Sequence, residues 1–164
     1  MSTLLFAVGT LASIKGEVVW MTAEDKFDEL VAQYDLSLGE FLKGNPEPVK
    51  KMYSHRQDVT LANPFGPAVR GWEQVAATIE HAASQMRDGE IVDVEAAMKC
   101  VTPELAYIVR VERSKAKVGG QEAVMPISLR VTMIMRPEDG VWKIVNRHAD
   151  PITSARPIES VTQQ

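Results

Sequence analysis

The stretch LRVTMIMRPEDGVWKIVNRHADP, Leu129 to Pro151, reads as two strands joined by a tight turn. Apolar residues recur at every second position, at Leu129, Val131, Met133 and Met135, then at Trp142 and Ile144. A period of two is the mark of a strand with one buried face. Pro137-Glu138-Asp139-Gly140 supplies the turn chemistry between them,. With Glu138-Asp139 as a two-residue turn, Leu129 faces His148. Asn146, His148 and Asp150 then continue the face begun by Trp142 and Ile144, so that face runs from greasy to polar.

Two further runs precede this hairpin, at about 91–101 and 104–118, followed by one at about 121–136. Thr102-Pro103-Glu104 and Gly119-Gly120 separate them, and Gly-Gly is a strong hairpin signal,. The chain therefore ends in a four-strand antiparallel meander. Register fixes which side chains share a face. A two-residue turn at Gly119-Gly120 puts Arg110, Leu129 and His148 in one row, with Glu112, Ile127 and Asp150 in the next. Val92, Val94, Ala96, Met98 and Cys100 join the same face from the first strand. The opposite face carries Tyr107, Val109, Val111, Arg130 and Arg147 and suits an outer or subunit-contact surface. A one-residue bulge in either hairpin would invert the assignment.

Helical spacing governs the region before the meander. Phe27, Leu30, Val31, Tyr34, Leu38, Phe41 and Leu42 predict a helix over about 23–43, capped by Thr22 with Asp25 and stopped by Gly44-Asn45-Pro46,. A short helix is predicted at about 46–53, with Pro46 in its first turn. DVTLANP reads as a short strand and FGPAVRG as a loop. Trp72, Val75, Ala76, Ile79, Ala83 and Met86 mark a third helix ending at Gly89,. The order gives an α+β fold with helices grouped on one side of a curved sheet. Residues 1–20 read as a loose extension, 21–151 as the domain and 152–164 as a mobile tail.

The 164 residues are 45% hydrophobic with a formal charge of −4, which suits one domain with a real core,. Basic residues form no stripe, so no nucleic-acid partner is expected. TLLFAVGTLASIKG is too short for a membrane span and lacks a basic leader, so no membrane association is expected. The single cysteine, Cys100, reads as a buried structural thiol in a reducing cytoplasm,.

The stretches YSHRQDVTLANPFGPAVRGWEQV, Tyr53 to Val75, and Leu129 to Pro151 make the chain resemble the SnoaL-like branch of the nuclear transport factor 2-like superfamily. Gly71-Trp72 at the start of a helix and the EDG-WKIV final hairpin carry the likeness. The resemblance implies a cone: a curved antiparallel sheet wrapped around three N-terminal helices, with a pocket inside and a homodimer formed through the outer sheet face. It implies cofactor-free chemistry of the steroid isomerase or polyketide cyclase kind, or plain ligand binding, because this fold hosts many functions.

The candidate residues follow from the register. His148 beside Asp150 suits a general acid–base pair, or merely a polar strand end. Arg110 and Glu112 suit a pocket pair binding an oxygen or anion, or an ordinary cross-strand ion pair. Arg110-x-Glu112 with Asn63 also resembles the limonene epoxide hydrolases, although Glu112 stands for that family's Asp and Leu61 for its Tyr. The steroid isomerase likeness would ask Tyr53 and Asp150 to serve, and the cyclase likeness Asp150 or Glu112. Asn63, Tyr53, Trp72, Asn146 and Met133 are the expected ligand contacts, for an apolar small molecule with an oxygen function. Trp72 and the methionines equally suit plain core. His55 and Asp58 read as a solvated turn. No metal site is expected, since His55, His81 and His148 share no ligand spacing,. No cofactor loop is expected either, since Gly119-Gly120 is a hairpin turn.

Overall fold

A computed structural model describes residues 11–14 and 17–162. Two short strands, β1 (Leu11–Ile14) and β2 (Glu17–Trp20), pair with each other in a sheet of their own. These strands lie within the stretch that the sequence reads as a loose extension; the rest of that stretch, residues 1–10 and 15–16, lies outside the described residues.

Helix α1 (Ala23–Phe41) begins with the expected cap. The Asp25 N–H donates to Thr22 Oγ1 at 3.1 Å, and the Thr22 N–H donates to Asp25 Oδ2 at 2.8 Å,. Phe27, Leu30, Tyr34 and Leu38 form its buried stripe. Helix α2 (Glu47–Met52) buries Val49 and Met52. Strand β3 (Thr60–Ala62) pairs antiparallel with β4 (Val69–Arg70), which lies where the sequence predicts a loop. Helix α3 (Trp72–Ser84) buries Val75, Ile79, Ala82 and Ala83.

The meander is β5 (Met86–Val101), β6 (Ala106–Val118), β7 (Val124–Glu138) and β8 (Val141–Asp150). The six-stranded sheet runs β4-β3-β8-β7-β6-β5, with β3 parallel to β8 and every other neighbour antiparallel. The sheet is curved and unclosed, and the three helices lie against its concave face. This is the cone that the resemblance implied.

Gly89 is not a helix stop. The helix ends at Ser84, and Gly89 lies within β5. Its N–H donates to the Leu42 carbonyl at 3.1 Å. A Cβ there would stand 2.6 Å from that oxygen and 2.9 Å from Ala116 Cβ. Glycine is needed because two backbones meet, not because a helix ends.

Three departures in register decide what reaches the interior. First, β6 and β7 pair with Lys117 opposite Val124, so the connection is longer than Gly119-Gly120 alone. Arg110 therefore faces Val131 and Glu112 faces Leu129. The slip is two residues, an even number, so Arg110 and Glu112 keep their inward face. Second, the last turn is Asp139-Gly140, both with positive φ (50° and 81°), as a tight hairpin turn requires,. Pro137 faces Trp142 and Met135 faces Ile144. Then the register shifts by one, with Ile134 opposite Asn146, so Val145 is an extra residue in β8,. Beyond it the faces invert. Arg147 and Ala149 turn inward and are buried; Asn146, His148 and Asp150 turn outward. Third, a bulge between Ala96 and Met98 turns Met98 and Cys100 to the outer face, opposite Val109 and Tyr107. Cys100 is exposed, contrary to the buried thiol expected. Val92 is exposed too, beside another irregularity in β5.

Phe27, Val75, Val131, Met133, Met135 and Ile144 lie in the closed part of the core, away from the cavity described below. Trp142 packs its ring edge-on to Phe27, with centroids 6.0 Å apart and planes at 77°,.

Outer-face charges tie the strand ends together. Asp150 accepts from the Ile152 N–H at 2.8 Å and from Arg130 at 2.9 Å. Partial burial raises the Asp150 carboxyl, but these donors outweigh it and hold it below the ordinary 3.8. The Arg136 guanidinium holds Asp58 low as well. A folded-state value below the unfolded one adds stability above the unfolded value, and that stability is lost as pH falls through the folded value. Urea unfolding at pH 7 and pH 3 should therefore show a smaller acid loss in Asp150→Asn than in the wild type. Equal losses would mean that Asp150 contributes nothing to the acid limb.

Candidate functional site

The open end of the cone holds a cavity between α1, α2, the loop after β3 and the inner faces of β5–β8. It offers about 70 Å³ to the centres of water-sized molecules. That is room for roughly five such centres. Leu38, Leu42, Val49, Leu61, Ile79 and Leu129 line most of it. Phe65 stands at its mouth, 60% exposed.

The polar residues on this apolar lining are Tyr34, Tyr53, Asn63, Glu112, Ser114 and Arg147, together with Arg113, whose guanidinium turns away to Asp93 and Glu95. Five elements supply them. Tyr34 is on the inward stripe of α1. Tyr53 caps α2, and its backbone bridges to Ile144 of β8. Asn63 follows β3, ahead of Pro64. Glu112 is on the inner face of β6, and Arg147 is turned inward by the bulge in β8.

Behind the lining runs a buried ionic network. Arg110 donates from Nε (2.9 Å) and Nη2 (2.7 Å) to Glu112 Oε1. Arg147 Nη2 donates to Glu112 Oε2 at 2.9 Å. Arg147 Nε donates to the Tyr34 hydroxyl at 2.9 Å, and its Nη1 reaches Asn63 Oδ1 at 3.4 Å. The Arg110 guanidinium lies 5.1 Å from the centre of the Tyr34 ring,. At the far end, Arg110 Nη1 stands 2.7 Å from Asp35 Oδ1. That approach is an ion pair without hydrogen-bond alignment, so Asp35 Oδ1 has no hydrogen bond. Burial raises the Asp35 carboxyl, and Arg110 only partly offsets it.

The two tyrosines are the notable donors. Tyr53 is 1% exposed, and among the described residues its hydroxyl makes no hydrogen bond to protein. Tyr34 accepts from Arg147 and keeps its own proton free. Burial raises both phenols above their ordinary value, with Arg147 opposing at each. Both therefore stay protonated at neutral pH and can donate to a ligand oxygen.

The sequence-expected site residues divide accordingly. Arg110, Glu112, Tyr53 and Asn63 come together, although Arg110 stands behind Glu112 rather than on the lining. His148, Asp150 and Asn146 do not join them. His148 is exposed on the outer face, Asp150 pairs with Arg130, and Asn146 donates to Thr60 Oγ1 at 2.7 Å. The bulge at Val145 is the physical reason. Met133 is fully buried in the core and does not line the cavity. Trp72 stacks on His55, with ring centroids 3.8 Å apart, also away from the cavity. The epoxide-hydrolase pattern is not assembled, because Asp150 is outside and Arg110 and Arg147 hold both oxygens of Glu112. Tyr34, Asp35 and Arg147 are the residues that the sequence reading missed. Tyr34 was legible only as core. A polar-tipped ring on an apolar helical stripe was the available signal.

Comparison with known proteins comes down to the same fold. A comparison with curated protein sequences gives no match. The chain superposes on a nuclear transport factor 2-like superfamily protein of Salmonella enterica with a TM-score of 0.70 at 14% identity, covering 85% of this chain and 97% of that one. A protein of Novosphingobium aromaticivorans proposed to be a scytalone dehydratase gives 0.62 at 14% identity, covering 81% and 95%. A proposed calcium/calmodulin-dependent protein kinase II association domain of Xanthomonas campestris gives 0.62 at 16% identity, covering 92% and 100%. At such identities the likeness is one of fold. The family model for the SnoaL-like domain matches residues 34–153, from the cavity tyrosine of α1 to just past β8. With that match over most of its length, the chain belongs to the SnoaL-like family, and its fold is that of the nuclear transport factor 2-like proteins.

Proposed function

We propose that this domain is a small-molecule pocket protein that grips an apolar ligand by an acceptor oxygen. The observation that carries the reading is Tyr53, a residue 1% exposed on the wall of an apolar cavity, whose hydroxyl makes no hydrogen bond to protein among the described residues. A ligand oxygen there would gain one hydrogen bond, worth about 0.5–1.5 kcal/mol. Tyr34, polarised by Arg147, supplies a second donor. Two such donors also favour negative charge developing on a carbonyl oxygen, the requirement of cofactor-free isomerase, cyclase and dehydratase steps. The dehydratase-named neighbour is consistent with that second reading. Against it, the carboxylate on the cavity lining, Glu112, is occupied by arginine donors. Binding is therefore the first reading, and catalysis the second.

Calorimetric titration with 2-hexanone is expected to show binding by the wild type and a three- to tenfold loss in Tyr53→Phe, the scale of one hydrogen bond. Unchanged affinity in the variant would remove Tyr53 from the site. Deuterium incorporation beside the carbonyl, followed by NMR, tests turnover separately: none above the buffer rate leaves a binding protein.

We further propose a homodimer through the outer sheet face, where Tyr107, Val109, Val111, Ile134 and Val145 are half-buried in the single chain. Sedimentation should give a dimer for the wild type and a monomer for Val109→Glu. A monomeric wild type would contradict it. An exposed free Cys100 fits a reducing compartment such as the cytoplasm,. Among the described residues, no helix is long and apolar enough to cross a membrane.

A further inference from the structure

We infer that the ligand of this cavity is an anion, specifically an apolar carboxylate whose oxygens sit among Tyr53, Tyr34, Asn63 and Arg147 and whose tail points past Phe65. The inference rests on the reading that the cavity takes an acceptor oxygen, and it narrows that reading to a charged one.

The first ground is the donor inventory. Tyr53 offers an unused O–H, and Tyr34 offers the O–H left free by its bond from Arg147. Asn63 turns its Oδ1 towards Arg147 at 3.4 Å, which leaves its amide N–H groups over. Arg147 has five N–H groups, of which Nε and Nη2 make the close bonds,. Acceptors are scarce by comparison. Three arginine N–H groups take up the oxygens of Glu112, out of about four lone-pair sites,. The hydroxyls of Tyr53, Tyr34 and Ser114 can also accept, but the N–H groups of Asn63 and Arg147 cannot, so donors are in excess and a ligand matching this lining is rich in acceptors,. A carboxylate has two acceptor oxygens and can take a forked arrangement of N–H and O–H groups.

The second ground is charge. The buried charged groups are Arg110, Arg147 and Glu112, and Asp35 Oδ1, itself buried, pairs with Arg110 at the far end, so the four together are neutral. Asp35 does not line the cavity. On the cavity side, Arg147 has Glu112 as its one carboxylate and shares it with Arg110. Buried charge is favoured when paired, and an anion in the cavity would give Arg147 a carboxylate of its own from the open side.

The third ground is shape. About 70 Å³ admits a head group and a few carbons, and the apolar lining continues through Ile127 and Leu129 to the exposed ring of Phe65. An alkyl or aryl body would leave by that route.

The test is calorimetric titration of the full chain at pH 7 with hexanoate, hexanamide and 2-hexanone, which share a chain and differ in the head. Benzoate against benzamide repeats the contrast for an aryl body. The expected result is at least tenfold tighter binding of each acid than of its amide. Equal or tighter binding of the amides overturns the anionic ligand, while retained 2-hexanone binding would leave the acceptor-oxygen pocket standing. Absence of binding by every compound overturns both. The contrast uses the unsubstituted chain, so it does not depend on whether variants of the buried network fold.

Discussion

Glu112→Ala is expected to lose about 3–5 kcal/mol of folding stability. Glu112 is 4% exposed and accepts three N–H groups, two from Arg110 and one from Arg147. Alanine would leave two buried guanidinium groups facing each other across an empty site. Asp35 still reaches Arg110, but nothing replaces the partner of Arg147 Nη2. The loss comes from stranding charge, not from a generous ion pair, because desolvation offsets much of the attraction in the intact network. Glu95 gives the scale. Its bond to Arg113 is 3.0 Å long, but its side chain is 66% exposed. Glu95→Ala should change stability by no more than about 0.5 kcal/mol. Urea unfolding of the two variants side by side checks the contrast, and similar midpoints would contradict the burial of Glu112.

Trp142→Ala is expected to cost a similar amount, about 3–5 kcal/mol, by a different route. The Trp142 ring fills the closed end of the cone against Phe27 and is 6% exposed. Its removal leaves a void that the neighbouring strands cannot collapse into, since β8 is pinned to β7 by the Asp139-Gly140 turn just before it. Trp142→Phe should recover most of the loss. Trp142 does not line the cavity. So the folded fraction of Trp142→Ala should bind 2-hexanone within about twofold of the wild type, whereas Tyr53→Phe, with its stability little changed, should not. A shared loss of binding would mean that the two ends of the cone are coupled.

The parts of this fold that were legible in the sequence are the parts set by local chemistry. The capping box of α1 involves residues three apart, and the final hairpin announces itself through Asp139-Gly140 and a period-two pattern. The inward face of Arg110 and Glu112 also survived, because the error in the preceding turn was an even slip. The bulge at Val145 was not legible. In KIVNRHAD, strict alternation puts Asn146, His148 and Asp150 on the side of Ile144, and no local signal marks the extra residue. What favours the bulge is distant: Glu112 and Tyr34 lie 35 and 113 residues from Arg147 in sequence and receive its N–H groups. The same holds for Gly89, whose need for a missing side chain comes from Leu42 and Ala116. A site assembled from five separate elements, one of them turned by an extra residue, is visible only once the sheet is paired.

The most direct measurement is electron density from crystals of the wild-type chain grown with 2-hexanone. Ligand density in the cone is expected, its oxygen within hydrogen-bond distance of Tyr53 Oη and its chain directed towards Phe65. Density on the outer face beside His148 and Asp150, or Arg147 turned out of the cone, would contradict the assignment of the site.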